Sequence, residues 1–281
     1  MAVITFWNSD TGKTGQTYSA LAIATYMAIE HNQKSLFIST KCNDKTSIEA
    51  FGINRKKGTI GLITGNKNSI DLESGIEGMS KLAQANRLTP EAITNYTKVI
   101  FNNRFELIPS PTDNTIEKVD YERIYASCEN IINVAKRYYE FVFVDLNSGF
   151  DKEPTRNILN KSDIIIINIE QKIVDFENLK KLKKTFPTNK TMILINKYDR
   201  ESKYSIKNIK RFLNDKQEIY TIPYYNLYTE AVQEGNVAEL FLNPRIRNIK
   251  EQDSKEGFFI SEIKRALNGI KLKLQELQMR A

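Results

Sequence analysis

Short apolar runs alternate along this chain with longer stretches in which apolar positions recur every three or four residues. The runs at 3–7, 35–39, 105–108, 141–145, 164–169, 192–196 and 218–222 are rich in β-branched and aromatic residues, which predicts strands. Within most of them polar residues do not alternate with apolar ones. Both faces are therefore buried, as in a parallel sheet covered by helices. The longer stretches predict helices over 17–30, 71–86, 89–102, 120–138, 155–161, 175–185 and 205–213. The first carries Ala20, Ile23, Ala24, Met27 and Ala28 on one face, and Thr89 and Pro90 read as the N-cap and first turn of another. Regular strand–helix alternation of this kind predicts a three-layer α/β/α fold around a mainly parallel sheet.

Near the C-terminus Ile260, Ile263, Leu267, Ile270, Leu274 and Leu277 are spaced 3, 4, 3, 4 and 3 apart, the seam of an amphipathic helix. Gly269 interrupts it at a cost of about 1 kcal/mol relative to alanine. The pattern divides the chain into a domain over 1–250 and a C-terminal amphipathic helix over 251–281. The seam has three readings, in order: packing on its own domain, a protein partner through 260–277, and a membrane surface. Its polar face mixes Glu262 and Glu276 with Lys264, Arg265, Lys271 and Lys273, a mixture unlike a membrane anchor.

At 281 residues and 41% hydrophobic, the chain has material for a sizeable core. Its apolar runs are too short to span a bilayer, and the N-terminus lacks a basic region and a cleavage site, which reads as a cytoplasmic protein. Cys42 and Cys128 read as small buried or half-buried side chains, and one histidine, His31, disfavours a zinc site. The net charge of +7 lies wholly in residues 151–281. That leaves DNA contact open through the basic second half, against the simpler reading of a lysine-rich solvated surface.

The turn after the first strand is the expected phosphate site of such a sheet. It runs Asn8-Ser9-Asp10-Thr11-Gly12-Lys13-Thr14-Gly15-Gln16-Thr17. Either Gly12-Lys13-Thr14 or Gly15-Gln16-Thr17 occupies the G-K-T slot. Helical periodicity begins at Thr17, which selects the second register, because the first amides of the helix must face the phosphates. In that register the loop resembles the deviant Walker A sequence, K-G-G-x-G-K-T, of the MinD/ParA family of P-loop NTPases. The resemblance implies an ATP or ADP site, with Mg, over Thr11, Gly12, Lys13, Thr14, Gly15, Gln16 and Thr17. Thr11 replaces the lysine that reaches across the dimer, Lys13 a glycine, and Gln16 the lysine on the β- and γ-phosphates; Thr17 retains the hydroxyl that ligands the metal.

Three later segments extend the resemblance. Asp145-Leu146-Asn147-Ser148-Gly149 is similar to the family's switch and makes Asp145 the second metal residue. Asn196-Lys197-Tyr198-Asp199, read alone, fits the N-K-x-D guanine motif of GTPases. The D-x-x-x-G spacing of the switch favours the MinD/ParA register, in which Asn196 meets adenine. Ile222-Pro223-Tyr224, followed by Ala231 and Gly235, resembles the segment that packs on the base and adds Pro223 and Tyr224 to the site. The stretch 222–231 looks most like the CpaE/TadZ branch, which includes degenerate P-loops. One family feature is missing: the aspartate at the end of the second strand, which here ends Ile38-Ser39-Thr40-Lys41, with Asp44 several residues later. No catalytic residue is assigned. The resemblance implies a nucleotide-binding switch that forms a homodimer and positions a cargo such as DNA or a pilus or secretion apparatus, with weak or absent hydrolysis. The alternative is a pseudo-NTPase scaffold that does not turn nucleotide over.

Overall fold

The computed structural model describes residues 1–9, 13–42, 44–53, 75–110, 118–182, 184–214, 217–247, 249 and 253–279. The elements run in this order: β1 Ala2–Trp7, α1 Gln16–Glu30, β2 Ser35–Ser39, α2 Thr46–Glu49, α3 Ile76–Gln84, α4 Pro90–Ile93, β3 Lys98–Phe101, β4 Phe105–Ile108, α5 Lys118–Ala135 and β5 Phe141–Asp145. They continue with α6 Glu153–Lys161, β6 Ile164–Ile169, α7 Ile173–Leu182, β7 Thr191–Tyr198, α8 Ile206–Leu213, β8 Ile219–Pro223, α9 Asn226–Glu234, α10 Val237–Leu242, α11 Pro244–Arg247 and α12 Lys255–Met279.

Among the described residues eight strands form one sheet in the order β3-β4-β2-β5-β1-β6-β7-β8, parallel except for the β3–β4 pair. The unbroken run Ile164-Ile165-Ile166-Ile167 shows why these strands carry no polar alternation. Ile164 and Ile166 point into one core with α1, α9, α10 and α12, whereas Ile165, Ile167 and Ile169 point into the other with α3, α5, α6, α7 and α8. Two cores, one on each face, make the three-layer α/β/α architecture. The chain leaves β1 through α1 on one face and β5 through α6 on the other. With right-handed crossovers this opens a crevice between the two loops at the C-terminal edge of the sheet.

One predicted helix is corrected. The segment 89–102 is helical only to Tyr96, capped as expected by the Thr89 side chain on the Ala92 amide, and residues Lys98–Phe101 then form the antiparallel edge strand β3. The turn Asn102-Asn103-Arg104, with Asn103 at φ 59°, folds β3 back onto β4. A left-handed residue at a hairpin turn is where asparagine is favoured, and this local signal overrides helical spacing. Of the predicted helix at 71–86, residues 71–74 lie outside the described residues.

The seam of α12 lies on its own domain. Ile260, Ile263, Leu267 and Ile270 are buried beside α1 and the sheet, and Leu274 and Leu277 pack half-buried against the same core. These six residues are thus engaged within the chain, which leaves a seam partner through 260–277 without a free apolar stripe. Among the described residues no helix is long and apolar enough to cross a membrane. Cys128 is buried and Cys42 half-buried, and neither forms a disulfide.

Candidate functional site

After β1, α1 starts at Gln16, one residue before the periodicity suggested. Gly15 precedes it at φ 78°, ψ 14°, a left-handed conformation that glycine adopts without a Cβ penalty. It brings no side chain to the helix tip, and the first turn has no acidic residue. The first main-chain bond of the helix runs from the Ser19 amide to the Gly15 carbonyl, 3.1 Å. Helix geometry therefore leaves the amides of Gln16, Thr17 and Tyr18 without main-chain acceptors at the positive end of the dipole.

The side chain of Gln16 turns down into the protein. It is 3% exposed, and Nε2 donates toward Asp145 Oδ1 at 2.6 Å, the Leu146 carbonyl at 2.8 Å and the Phe6 carbonyl at 3.0 Å. An amide in this place ties the start of α1 to the ends of β1 and β5. Thr17 lies beside it, and Thr17 Oγ1 donates to Asp145 Oδ2 at 2.8 Å. Asp145 is fully buried at the end of β5, with the Ser39 hydroxyl at 3.4 Å from the same Oδ2.

The residue that completes this corner is Lys41, just past β2. Its Nζ stands 2.8 Å from Thr17 Oγ1 and 2.9 Å from Asp145 Oδ1. Parallel pairing of β2 with β5 sets it there: Ser39 lies opposite Asp145, and the Thr40 amide donates to the Asp145 carbonyl at 3.0 Å. Asp44 also reaches the corner, with Oδ2 3.3 Å from Thr17 Oγ1. The hydroxyl of Thr17 thus donates to a carboxylate and accepts from an ammonium, which puts a positive charge on the face where a metal ion would approach. With Lys41 in this position, Thr17 and Asp145 do not fit a divalent cation between them.

Of the other predicted residues, Thr11 and Gly12 lie outside the described residues. Lys13 is exposed, and its carbonyl accepts from Lys197 Nζ at 3.0 Å. Thr14 is buried, with Oγ1 accepting from Asn8 Nδ2 at 2.9 Å. Asn196 is 2% exposed, and its Nδ2 donates to Asn168 Oδ1 at 3.0 Å. Asn168 in turn accepts from Ser19 at 3.1 Å, so this pair locks α1 to β6 and β7. Pro223 ends β8 in a buried position, while Tyr224 is 60% exposed at the same edge. Asn8 Oδ1, Gln16 Oε1 and Asn196 Oδ1 are buried without a hydrogen-bond partner, and all three surround the start of α1.

Lys197, within the N-K-x-D segment, also borders the tip of α1. It sits at φ 52° where the β7–β8 register shifts, its chain passes 3.6 Å from where a Cβ on Gly15 would lie, and it pairs with Glu170 at 2.5 Å. Burial raises the Glu170 carboxyl, but hydrogen bonds from Lys172 and Lys197 and their charges outweigh this and hold it below its ordinary range. For Lys41 the signal in the sequence was negative: a basic residue near the end of strand two, where the family carries an aspartate. Asp199 of the N-K-x-D reading closes a turn by accepting the Glu201 amide at 2.9 Å. A separate groove of about 560 Å³, lined by Met1, His31, Glu140, Lys271 and Gln275 among others, lies at the opposite edge of the sheet, away from all of these residues.

No family profile matches the chain, and no curated protein resembles it in sequence. Solved structures do. A ParA family ATPase from Chlorobium tepidum superposes with a TM-score of 0.65 at 20% identity, over 95% of this chain and 97% of its own. The septum site-determining protein MinD of Pyrococcus horikoshii, complexed with Mg-ADP, gives 0.64 at 14% identity over 97% and 99%. A plasmid partition protein of Borrelia burgdorferi bound to AMPPNP gives 0.62 at 17% identity over 100% and 99%. At such identities the likeness is one of fold: the chain has the three-layer P-loop architecture of these proteins along nearly its whole length.

Proposed function

We propose that this chain is a ParA/MinD-like switch protein that holds a nucleotide at the tip of α1 and does not turn it over. The observation that carries the reading is the bare helix tip at the C-terminal crevice, with Gly15 left-handed and nothing acidic in its first turn. Amides so placed bind phosphate through hydrogen bonds and the helix dipole. Two solved structures of the same fold contain Mg-ADP and AMPPNP, which supports a nucleotide as the occupant. Absence of turnover is supported by Gln16, whose side chain is engaged inside the protein, and by Lys41 near the end of β2, where the family's water-positioning aspartate is missing.

The base falls to Pro223 and exposed Tyr224, since Asn196 is held inward by Asn168. Dimerisation through this edge is supported by four exposed apolar side chains that border it: Ile173, Val174, Tyr224 and Leu227, between 46% and 60% exposed. In this reading the dimer positions a cargo, whether DNA or a secretion or pilus apparatus, and the degenerate loop is in keeping with the CpaE/TadZ branch. Calorimetry with ATP and GTP in parallel, sedimentation with and without nucleotide, and phosphate release test it together. Expected are saturable heat with ATP exceeding that with GTP, a shift to dimer, and no phosphate release. The absence of heat with either nucleotide would refute the reading.

A further inference from the structure

The geometry points to Lys41 as a tethered cation: its ammonium stands where a divalent metal would bridge Thr17 and Asp145, and it presents that charge to a bound phosphate, so that binding needs no metal. The inference rests on the proposed nucleotide reading for the phosphate and on the corner alone for the metal. Three observations carry it. Lys41 Nζ touches both residues that a metal would link, at 2.8 and 2.9 Å. Those two residues are also bonded directly to each other at 2.8 Å, so a metal that linked them would have to take the place of that hydrogen bond. Finally, the side chain of Lys41 is 22% exposed whereas Asp145 is fully buried, so of the two charged partners Lys41 is the one that solvent reaches.

An ammonium has three donors. Thr17 and Asp145 engage two, and the third serves a phosphate oxygen seated on the amides of α1. The sheet keeps the group in place, because the Thr40 amide is bonded to the Asp145 carbonyl immediately before Lys41. Two further neighbours fit this role. Gln16, in the slot of the customary lysine, is neutral and donates to Asp145 at 2.6 Å, so it adds no second positive charge beside Lys41. Asp44 lies 3.3 Å from Thr17 and adds negative charge to the same corner. A divalent ion entering here would have to displace a like charge and break the Thr17–Asp145 bond.

ATP is titrated calorimetrically into the full chain in excess MgCl₂ and again in excess EDTA. The expected result is the same affinity in both. In Lys41→Ala the affinity in EDTA falls, and Mg²⁺ restores it by on the order of tenfold. Lys41→Arg keeps the charge and stays indifferent to metal, which separates the effect from misfolding of the alanine variant. Wild-type binding that is abolished by EDTA overturns the inference. If ATP binds under neither condition, the nucleotide reading fails by itself and thermal shifts with MnCl₂ alone decide. Manganese that stabilises Lys41→Ala but not the wild type upholds the tethered cation; an equal shift in both, or none in either, overturns it.

Discussion

Gln16 presents one amide nitrogen to three acceptors, and with two hydrogens to offer it shares one of them. Replacing it by leucine removes donors from a fully buried carboxylate and two carbonyls. Such loss costs on the order of 1–3 kcal/mol, so Gln16→Leu should lower the urea midpoint, and an unchanged midpoint would contradict the contact. Glu170 sets a pH dependence. Its folded carboxyl is held below its ordinary value by Lys172 and Lys197 after burial has opposed them. A depressed carboxyl contributes stability above its unfolded value that is lost as pH falls through the folded one. The wild type should therefore lose part of its stability below about pH 4.5, and Glu170→Gln should show a smaller loss over the same range, read from denaturation midpoints at several pH values. Cys128 is fully buried, with its thiol pushed up to about 12 by burial alone, so alkylation should report global unfolding rather than surface chemistry.

At the scale of elements, glycine at two positions is explained by what lies against it. Gly269 weakens α12 by propensity, yet a Cβ there would stand 2.2–2.5 Å from the ring of Tyr220 on β8. Alanine would gain about 1 kcal/mol of helix propensity and meet overpacking of about 1–3 kcal/mol. Gly269→Ala is expected to destabilise, and Gly269→Ala combined with Tyr220→Ala to do so less than additively; stabilisation by the single change would show that the ring moves freely. Gly235 ends α9 at φ 79°, with its Cα side against the Gly52 backbone, where a Cβ would lie 2.7 Å from Gly52 Cα. Part of the family-like A-x-x-x-G pattern thus has a packing cause: Gly235 lets α9 close on the turn after α2.

At the scale of the whole molecule, the two cores share one sheet, and α12 supplies a large part of one of them. Phe259, Ile260, Ile263, Leu267 and Ile270 are each 3% exposed or less. Burial of such side chains stabilises by about 1.5–3 kcal/mol each, which together rivals the total stability of a domain, about 5–15 kcal/mol. Truncation after residue 250 should therefore abolish cooperative unfolding and expose dye-binding apolar surface. A cooperative melt of the truncated chain would instead make 251–281 the separable unit that the pattern along the chain suggests.

Strand and helix positions were legible in the linear pattern, because burial on two faces imposes apolar runs and burial on one imposes a 3.6-residue repeat, and both are local consequences of backbone geometry. The β3 hairpin was missed where a two-asparagine turn outweighed helical spacing, and the helix start at Gln16 was placed to within one residue. The same local logic set Thr17 in the first turn of α1, and the resemblance, not periodicity, grouped it with Asp145, to which it is bonded from 128 residues away. What occupies the space between them was not legible. Lys41, Asp44 and Gln16 carry no periodic signature; they meet because β2 pairs in parallel with β5 and so delivers two strand ends to one helix tip. Charge near a buried carboxylate is a matter of a few ångströms in three dimensions, and only the packed sheet decides that an ammonium, held by Thr17 and Asp145, fills a place where the chain's resemblance implied a metal ion.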